Sequence, residues 1–203
     1  MLTIATLLWD ARPDSLPTSR CYDETWVEKL YRGFARNLTR PFTLAVFTDR
    51  PRTFAEPVQQ VRLARPEAGY GCCIEPFRLN TPTIVVGLDT VVTGNCDGLA
   101  DYCEQAIWPL LPRSPGKPYA CNGVALVPAG NRRIYDDWRG ENDMEWLRRQ
   151  RHELIERHYP GQVKSWRLEA KPDGLGDARL VYFHGREKPH ELAHEPFIQE
   201  HWV

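Results

Sequence analysis

The run Thr83-Ile84-Val85-Val86-Gly87-Leu88-Asp89-Thr90-Val91-Val92-Thr93-Gly94-Asn95 is dense in β-branched and aliphatic residues and is interrupted by a single acid. Its composition predicts a strand buried on both faces, the kind found in parallel sheets. A carboxylate flanked by Leu88 and Val91 has to be solvated, paired or bound to a cation. Two readings follow for Asp89. Either the strand ends there and turns, or Asp89 stands at the carboxyl end of a central strand, where open α/β sheets bind their ligands.

The flanking sequence places this run in an α/β chain. Residues 2–9 form a short apolar strand, and the loop Asp10 to Thr18 closes it with two prolines. Trp26, Leu30 and Phe34 recur every four residues, with Val27 and Tyr31 beside them, so 23–37 reads as an amphipathic helix. Asp23 and Glu24 in its first turn and Arg36 in its last suit the helix dipole. Phe42–Thr48 is a second buried strand, stopped by Asp49-Arg50-Pro51-Arg52, and 58–63 alternates as a more exposed one. The order strand, helix, strand, strand predicts one mostly parallel central sheet flanked by helices, with residues 1–203 forming a single domain.

Further along, a helix is expected over 97–107. Residues 109–118 hold four prolines and read as a loop. A strand is expected over 120–127, a helix over 142–158, and strands over 162–168 and 178–183, followed by a mostly polar tail.

The chain carries 26 basic and 27 acidic residues, a formal charge of −1, so no global field draws it to nucleic acid. Arg132-Arg133 and the Arg148 to Arg151 segment are short and interleaved with acids, as on a solvated face. No apolar run approaches the roughly 18 residues of a membrane span, and the N-terminus lacks a signal-peptide pattern, so the expected location is cytoplasmic. The six cysteines include no C-x-x-C pair and read as free thiols rather than a zinc site or a disulfide scaffold.

A second polar group interrupts an apolar strand near the C-terminus, in Val181-Tyr182-Phe183-His184-Gly185-Arg186-Glu187-Lys188-Pro189. His184 reads as presented at a strand tip, with Gly185 letting the backbone turn and Pro189 stiffening the loop that holds Lys188. If the strands run parallel, Asp89 and His184 share one sheet edge. Carboxylate and imidazole together suit a divalent cation such as Mn²⁺, and an ammonium suits a phosphate oxygen.

These residues resemble the GT-A fold nucleotide-sugar transferases, particularly the glycogenin-like and lipopolysaccharide galactosyltransferase group with its bacterial and phage relatives. Phe183-His184-Gly185-Arg186-Glu187-Lys188-Pro189 is similar to that group's F-H-G-x-x-K-P motif, and Asn122-Gly123-Val124 to its N-x-G-V segment. Phe47-Thr48-Asp49 looks like the end of its second strand. The resemblance implies a Rossmann-like GT-A fold, and a sugar moved from a nucleotide diphosphate, UDP first, to an unknown acceptor. It implies Asp89 and His184 as ligands of a weakly bound Mn²⁺ or Mg²⁺. Gly87, Asp89, Asn122, Gly185 and Lys188 fall on the nucleotide-sugar side, and Asp143 falls at the acceptor as the catalytic residue. Two departures stand out. Aligned on Val91-Val92-Thr93-Gly94-Asn95, Asp89 takes the second acid of D-x-D and Gly87 stands in place of the first. Met144 stands where a Gln is expected after Asp143. The loss at Gly87 leaves open a non-catalytic nucleotide-binding or interaction module. A metal-dependent hydrolase is the weaker option, since such sites usually need more ligands than an Asp and a His.

Overall fold

A computed structural model describes residues 1–13 and 15–203, so Asp14 of the expected 10–18 loop lies outside the described residues. The larger of two sheets is built from β1 (Leu2–Leu8), β2 (Phe42–Thr48), β3 (Val58–Arg62), β4 (Thr83–Val86), β6 (Leu110–Leu111), β7 (Val124–Val127) and β8 (Glu153–Leu154). These seven strands run in the order β3-β2-β1-β4-β7-β6-β8. The strands β3, β2, β1 and β4 are mutually parallel, and β7 is antiparallel to both β4 and β6. A smaller sheet joins β5 (Thr90–Val92), β10 (Leu180–Tyr182) and β9 (Val163–Ser165).

The central strands are buried on both faces because their side chains alternate between two cores. Ile4, Leu44, Val46, Ile84, Val86, Val124 and Leu126 enter one core. There they meet α1 (Glu24–Asn37) and α2 (Asp97–Gln105) through Trp26, Val27, Leu30, Phe34 and Leu99. Ala5, Ala45, Phe47, Val85, Ala125 and Val127 face the other way. They are covered by a run of 3₁₀ turns over Pro66–Leu79, by α3 (Arg133–Asp136) and by α4 (Asp143–Arg149). Helix α1 starts where Asp23 caps the Thr25 N–H at 3.0 Å, and its i, i+4 stripe is the buried one. Under the small sheet, Trp166 stacks on Phe183 at 5.6 Å and packs on Phe197 at 4.9 Å, forming a third core.

Several expected elements are corrected. The run 83–95 is two strands in two sheets. The Thr90 N–H closes a turn on the Gly87 carbonyl at 3.1 Å, and Leu88 and Asp89 lie inside that turn. The expected loop 109–118 contains β6, whose Leu110 and Leu111 are fully buried between β7 and β8. The expected helix 142–158 stops at Arg149, because Glu153 and Leu154 pair with β6 before a separate short helix, α5 (Ile155–His158). The expected strand 162–168 ends at Ser165 and gives way to a wide π turn over Trp166–Ala170. The tail is not a polar extension, since Pro189–Leu192 and Pro196–His201 are helical turns that bury Leu192, Phe197 and Ile198.

Candidate active site

The carboxyl ends of β1, β2 and β4 share one edge, because Leu2↔Phe42 and Thr3↔Thr83 are in parallel register. Trp9, Asp10, Asp49 and Gly87 follow those ends directly. Strand β7 enters the same edge from the opposite direction, with Val124 opposite Val86, so Asn122 and Gly123 arrive there too. This is the edge at which such sheets bind ligands.

His184 reaches the edge by a route different from the one expected. Strand β10 belongs to the small sheet and runs antiparallel to β5, with Tyr182 opposite Thr90. Continuing that register brings Phe183 and His184 alongside Asp89 and Leu88. Period-two alternation then separates the side chains. Val181 and Phe183 enter the Trp166 core, while Tyr182 faces the main core and His184 lies with it on the cleft side. The turn at 87–90 therefore brings the two expected anchors together by moving the chain from one sheet to the next.

Two clefts meet at Gly87 and Asp89. One, of about 270 Å³, is bounded by Trp9, Leu16, Tyr22, Tyr70, Gly185 and Lys188. The other, of about 550 Å³, is bounded by Asn122, Gly123, Asp143, Met144, Tyr182 and His184. Every residue singled out from the sequence as a site residue lines one cleft or both.

The geometry around Asp89 is tight. Its Oδ2 accepts from the Lys188 ammonium and from the Tyr22 hydroxyl at 2.7 Å. Asp89 is 8% exposed and Lys188 6%, so each charge depends on the other. The Tyr22 ring also lies 5.7 Å from Lys188 Nζ. Burial, then the Asp89 charge, drives the Tyr22 phenol far above its ordinary range, which keeps it a donor. Lys188 caps the turn over Pro189–Leu192, its N–H bonded to Glu191 at 2.7 Å, so its backbone is fixed as well. His184 Nε2 is 2.8 Å from Ser165 Oγ. Burial, together with the nearby Arg167 and Lys188 cations, lowers its pKa and holds the ring neutral.

In the larger cleft, Asp143 opens α4 and is 6% exposed. Asn122 Nδ2 donates to its Oδ2, and the Cys73 thiol donates to it as well. Burial wins over these bonds and raises its pKa, the direction that suits a general base. Burial also pushes the Cys73 thiol well up, so it remains a protonated donor.

Gly123 makes the two sheets fit. A Cβ there would run into the Tyr182 ring, although its backbone is open to any residue. Gly123→Ala is expected to cost about 1–3 kcal/mol by overpacking, read as a lower midpoint in thermal unfolding; an unchanged midpoint would show that the Tyr182 ring moves freely.

A divalent cation does not fit these donors. Among the described residues no three His, Cys, Asp or Glu side chains converge to hold an ion. Gly87 supplies no acid, and the Asp89 charge is already neutralised by Lys188. Sequence reasoning missed Tyr22, Cys73, Ser165 and the Trp9–Tyr70 pair, whose rings meet edge-on at 5.9 Å. Tyr22 and Asp89 are 67 residues apart, and nothing in either local pattern points to the other.

No family model and no curated protein matches the sequence. Solved structures do. The chain superposes on the glycosyltransferase GlyE of Streptococcus pneumoniae TIGR4 with a TM-score of 0.57 at 11% identity, covering 92% of this chain and 55% of that one. An active-site mutant of LgtC gives a TM-score of 0.58 at 8% identity over 92% of this chain and 89% of that one. The bifunctional glycosyltransferase WbbM gives 0.60 at 8% identity, with 98% of this chain matched. This chain spans about half the length of GlyE and WbbM, 55% and 50% respectively. Its architecture is the GT-A fold of the nucleotide-sugar glycosyltransferases.

Proposed function

We propose that this protein transfers a sugar from a nucleotide diphosphate, a UDP-sugar in the first instance, to the hydroxyl of an acceptor. The observation that carries this reading is the buried Lys188 ammonium, which lines the smaller cleft and is bonded to Asp89, where the two clefts join at the carboxyl edge of the sheet. The donor nucleotide takes the cleft bounded by Trp9 and Tyr70, with its diphosphate toward Gly185 and Lys188. Gly185 has φ 74°, a conformation that favours glycine and leaves the backbone open to close approach. The acceptor takes the larger cleft beside Asn122 and Asp143.

In the transfer, the bond from the anomeric carbon to the phosphate oxygen breaks and its electron pair leaves on the diphosphate. The acceptor oxygen forms the new bond, and its proton passes to the Asp143 carboxylate. Lys188 meets the charge growing on the leaving group, and fixed charge of this kind is usually the largest catalytic term. His184, neutral and tied to Ser165, lines the larger cleft and positions the sugar. The Mn²⁺ or Mg²⁺ implied by the sequence resemblance has no step here, because its donors fall short.

Release of UDP from a panel of UDP-sugars, with and without simple sugar acceptors, tests this. Turnover that requires Asp143 supports transfer. Binding of UDP without turnover of any nucleotide sugar supports instead a nucleotide-binding module, the second reading, which Gly87 in place of an acid favours.

A further inference from the structure

The inference rests on the nucleotide-diphosphate reading above and concerns which cation serves that site. Gly87 is more than a missing acid. Its φ lies outside the left-handed region, so the backbone does not demand glycine there. A Cβ at that position would stand 2.8 Å from Asp89 Oδ1. The glycine therefore leaves the space into which the Asp89 carboxylate folds, and in that pose Asp89 holds Lys188. Tyr22 fixes the same carboxylate oxygen from the other side at 2.7 Å, and its ring lies 5.7 Å from the ammonium. Arg167 stands near His184 as a further positive charge. A divalent ion entering here would meet the His184 imidazole and one carboxylate already engaged by an ammonium and a phenol, with the Arg167 cation nearby, whereas a diphosphate would meet an ammonium already held in place.

We propose that this site binds its nucleotide diphosphate without a divalent metal, the Lys188 ammonium, held by Asp89 and Tyr22 in the space left by Gly87, serving as the cation for the phosphates. An ammonium is a compact point charge suited to phosphate oxygens. Pre-positioning by two partners removes the ordering that a free lysine would undergo on binding. Gly87, Asp89 and Tyr22 act through Lys188 and are positioning residues.

Calorimetric titration of UDP into the full chain, once in EDTA and once in excess Mn²⁺, tests the proposal. The expected result is the same Kd within about two-fold in both buffers, and a loss of about 10- to 100-fold in both for Lys188→Met, the range for a hydrogen bond to a charged group. Lys188→Met leaves Asp89 buried and unpaired, so the double variant Asp89→Asn with Lys188→Met, which buries no charge, is titrated beside it and should show the same loss. Lys188→Arg should recover part of the affinity. Binding that appears only with Mn²⁺ would overturn the proposal and leave the transferase reading standing. Binding that is unchanged in the double variant would overturn it too. No binding in either buffer would overturn both.

Discussion

Replacing Asp143 by Asn is expected to cost about 10²- to 10⁴-fold in sugar transfer, the usual contribution of a general base, while making the protein more stable at neutral pH. Both effects come from one cause. Burial raises the Asp143 pKa against the opposing bonds from the Met144 N–H, Asn122 and Cys73. A carboxyl whose folded pKa exceeds its unfolded value favours folding when protonated. That contribution is full below the ordinary aspartate range and is lost as pH rises through the raised folded value. At neutral pH the wild-type chain therefore buries a charge that the asparagine variant does not, and Asn can still accept from Asn122. Thermal unfolding followed across pH should show the variant above wild type near pH 7 and the two curves converging below about pH 3.9, the unfolded aspartate value. Wild-type transfer should fall on the acid side as Asp143 takes up its proton, and this limb should vanish in the variant. Full transfer by Asp143→Asn would remove Asp143 from the chemistry.

The largest effect on stability is expected at Arg52. Its side chain is only 2% exposed and gathers Asp10 at 2.8 Å, Asp49 at 2.9 Å and Glu24 at 3.0 Å. Its Nε also donates to Thr48 Oγ1 at 2.7 Å. One guanidinium thus ties the ends of β1 and β2 to the first turn of α1, which carries Tyr22 to Asp89 from just before its cap. Arg52→Met would leave three carboxylates crowded around Arg50 alone, which lies 2.7 Å from Asp10 and 3.7 Å from Glu24. Because they are partly exposed, the cost is set at the lower end for a broken buried pair, about 3 kcal/mol. In a chain of this size that corresponds to roughly 6–12 °C in the unfolding midpoint. Arg50, then Arg52, hold the Asp10 carboxyl below its ordinary pKa, and the Asp10 N–H and Arg52 do the same for Asp49 against burial. Groups with depressed folded pKa values stabilise above the unfolded value and lose that contribution as pH falls through the folded one. The deficit of Arg52→Met should therefore shrink in acid as the crowded carboxylates are protonated. A deficit independent of pH would assign the loss to packing alone.

Local pattern carried much of the fold. Phe42–Thr48 is the observed β2 residue for residue, and the Trp26, Leu30, Phe34 stripe is the buried face of α1. In both cases a single periodicity runs between clear stop signals. What periodicity cannot show is which sheet a strand joins. Thr83 to Asn95 is continuously apolar because β4 and β5 are each buried, and only the turn closed from Thr90 to Gly87 separates them. Leu110–Leu111 sits between prolines that end any long element, yet it pairs with β7 and β8, and that tertiary pairing also ends the helix expected over 142–158.

The candidate site was legible as a set of residues and not as a set of bonds. His184 and Lys188 stand out because a short motif holds them, and Asp89 because it breaks an apolar run. Nothing along the chain pairs Lys188 with an acid 99 residues away. The sequence alone therefore points to Asp89 as a metal ligand, whereas the fold shows it holding an ammonium.

The most direct test of the central claim is a crystal structure of the protein soaked with UDP and Mn²⁺. The nucleotide is predicted in the cleft bounded by Trp9, Tyr22 and Tyr70, with a diphosphate oxygen within hydrogen-bond reach of Lys188 Nζ, and with Lys188 still bonded to Asp89. A cleft empty at saturating UDP, or a nucleotide bound elsewhere on the sheet, would contradict the assignment of this edge as the donor site.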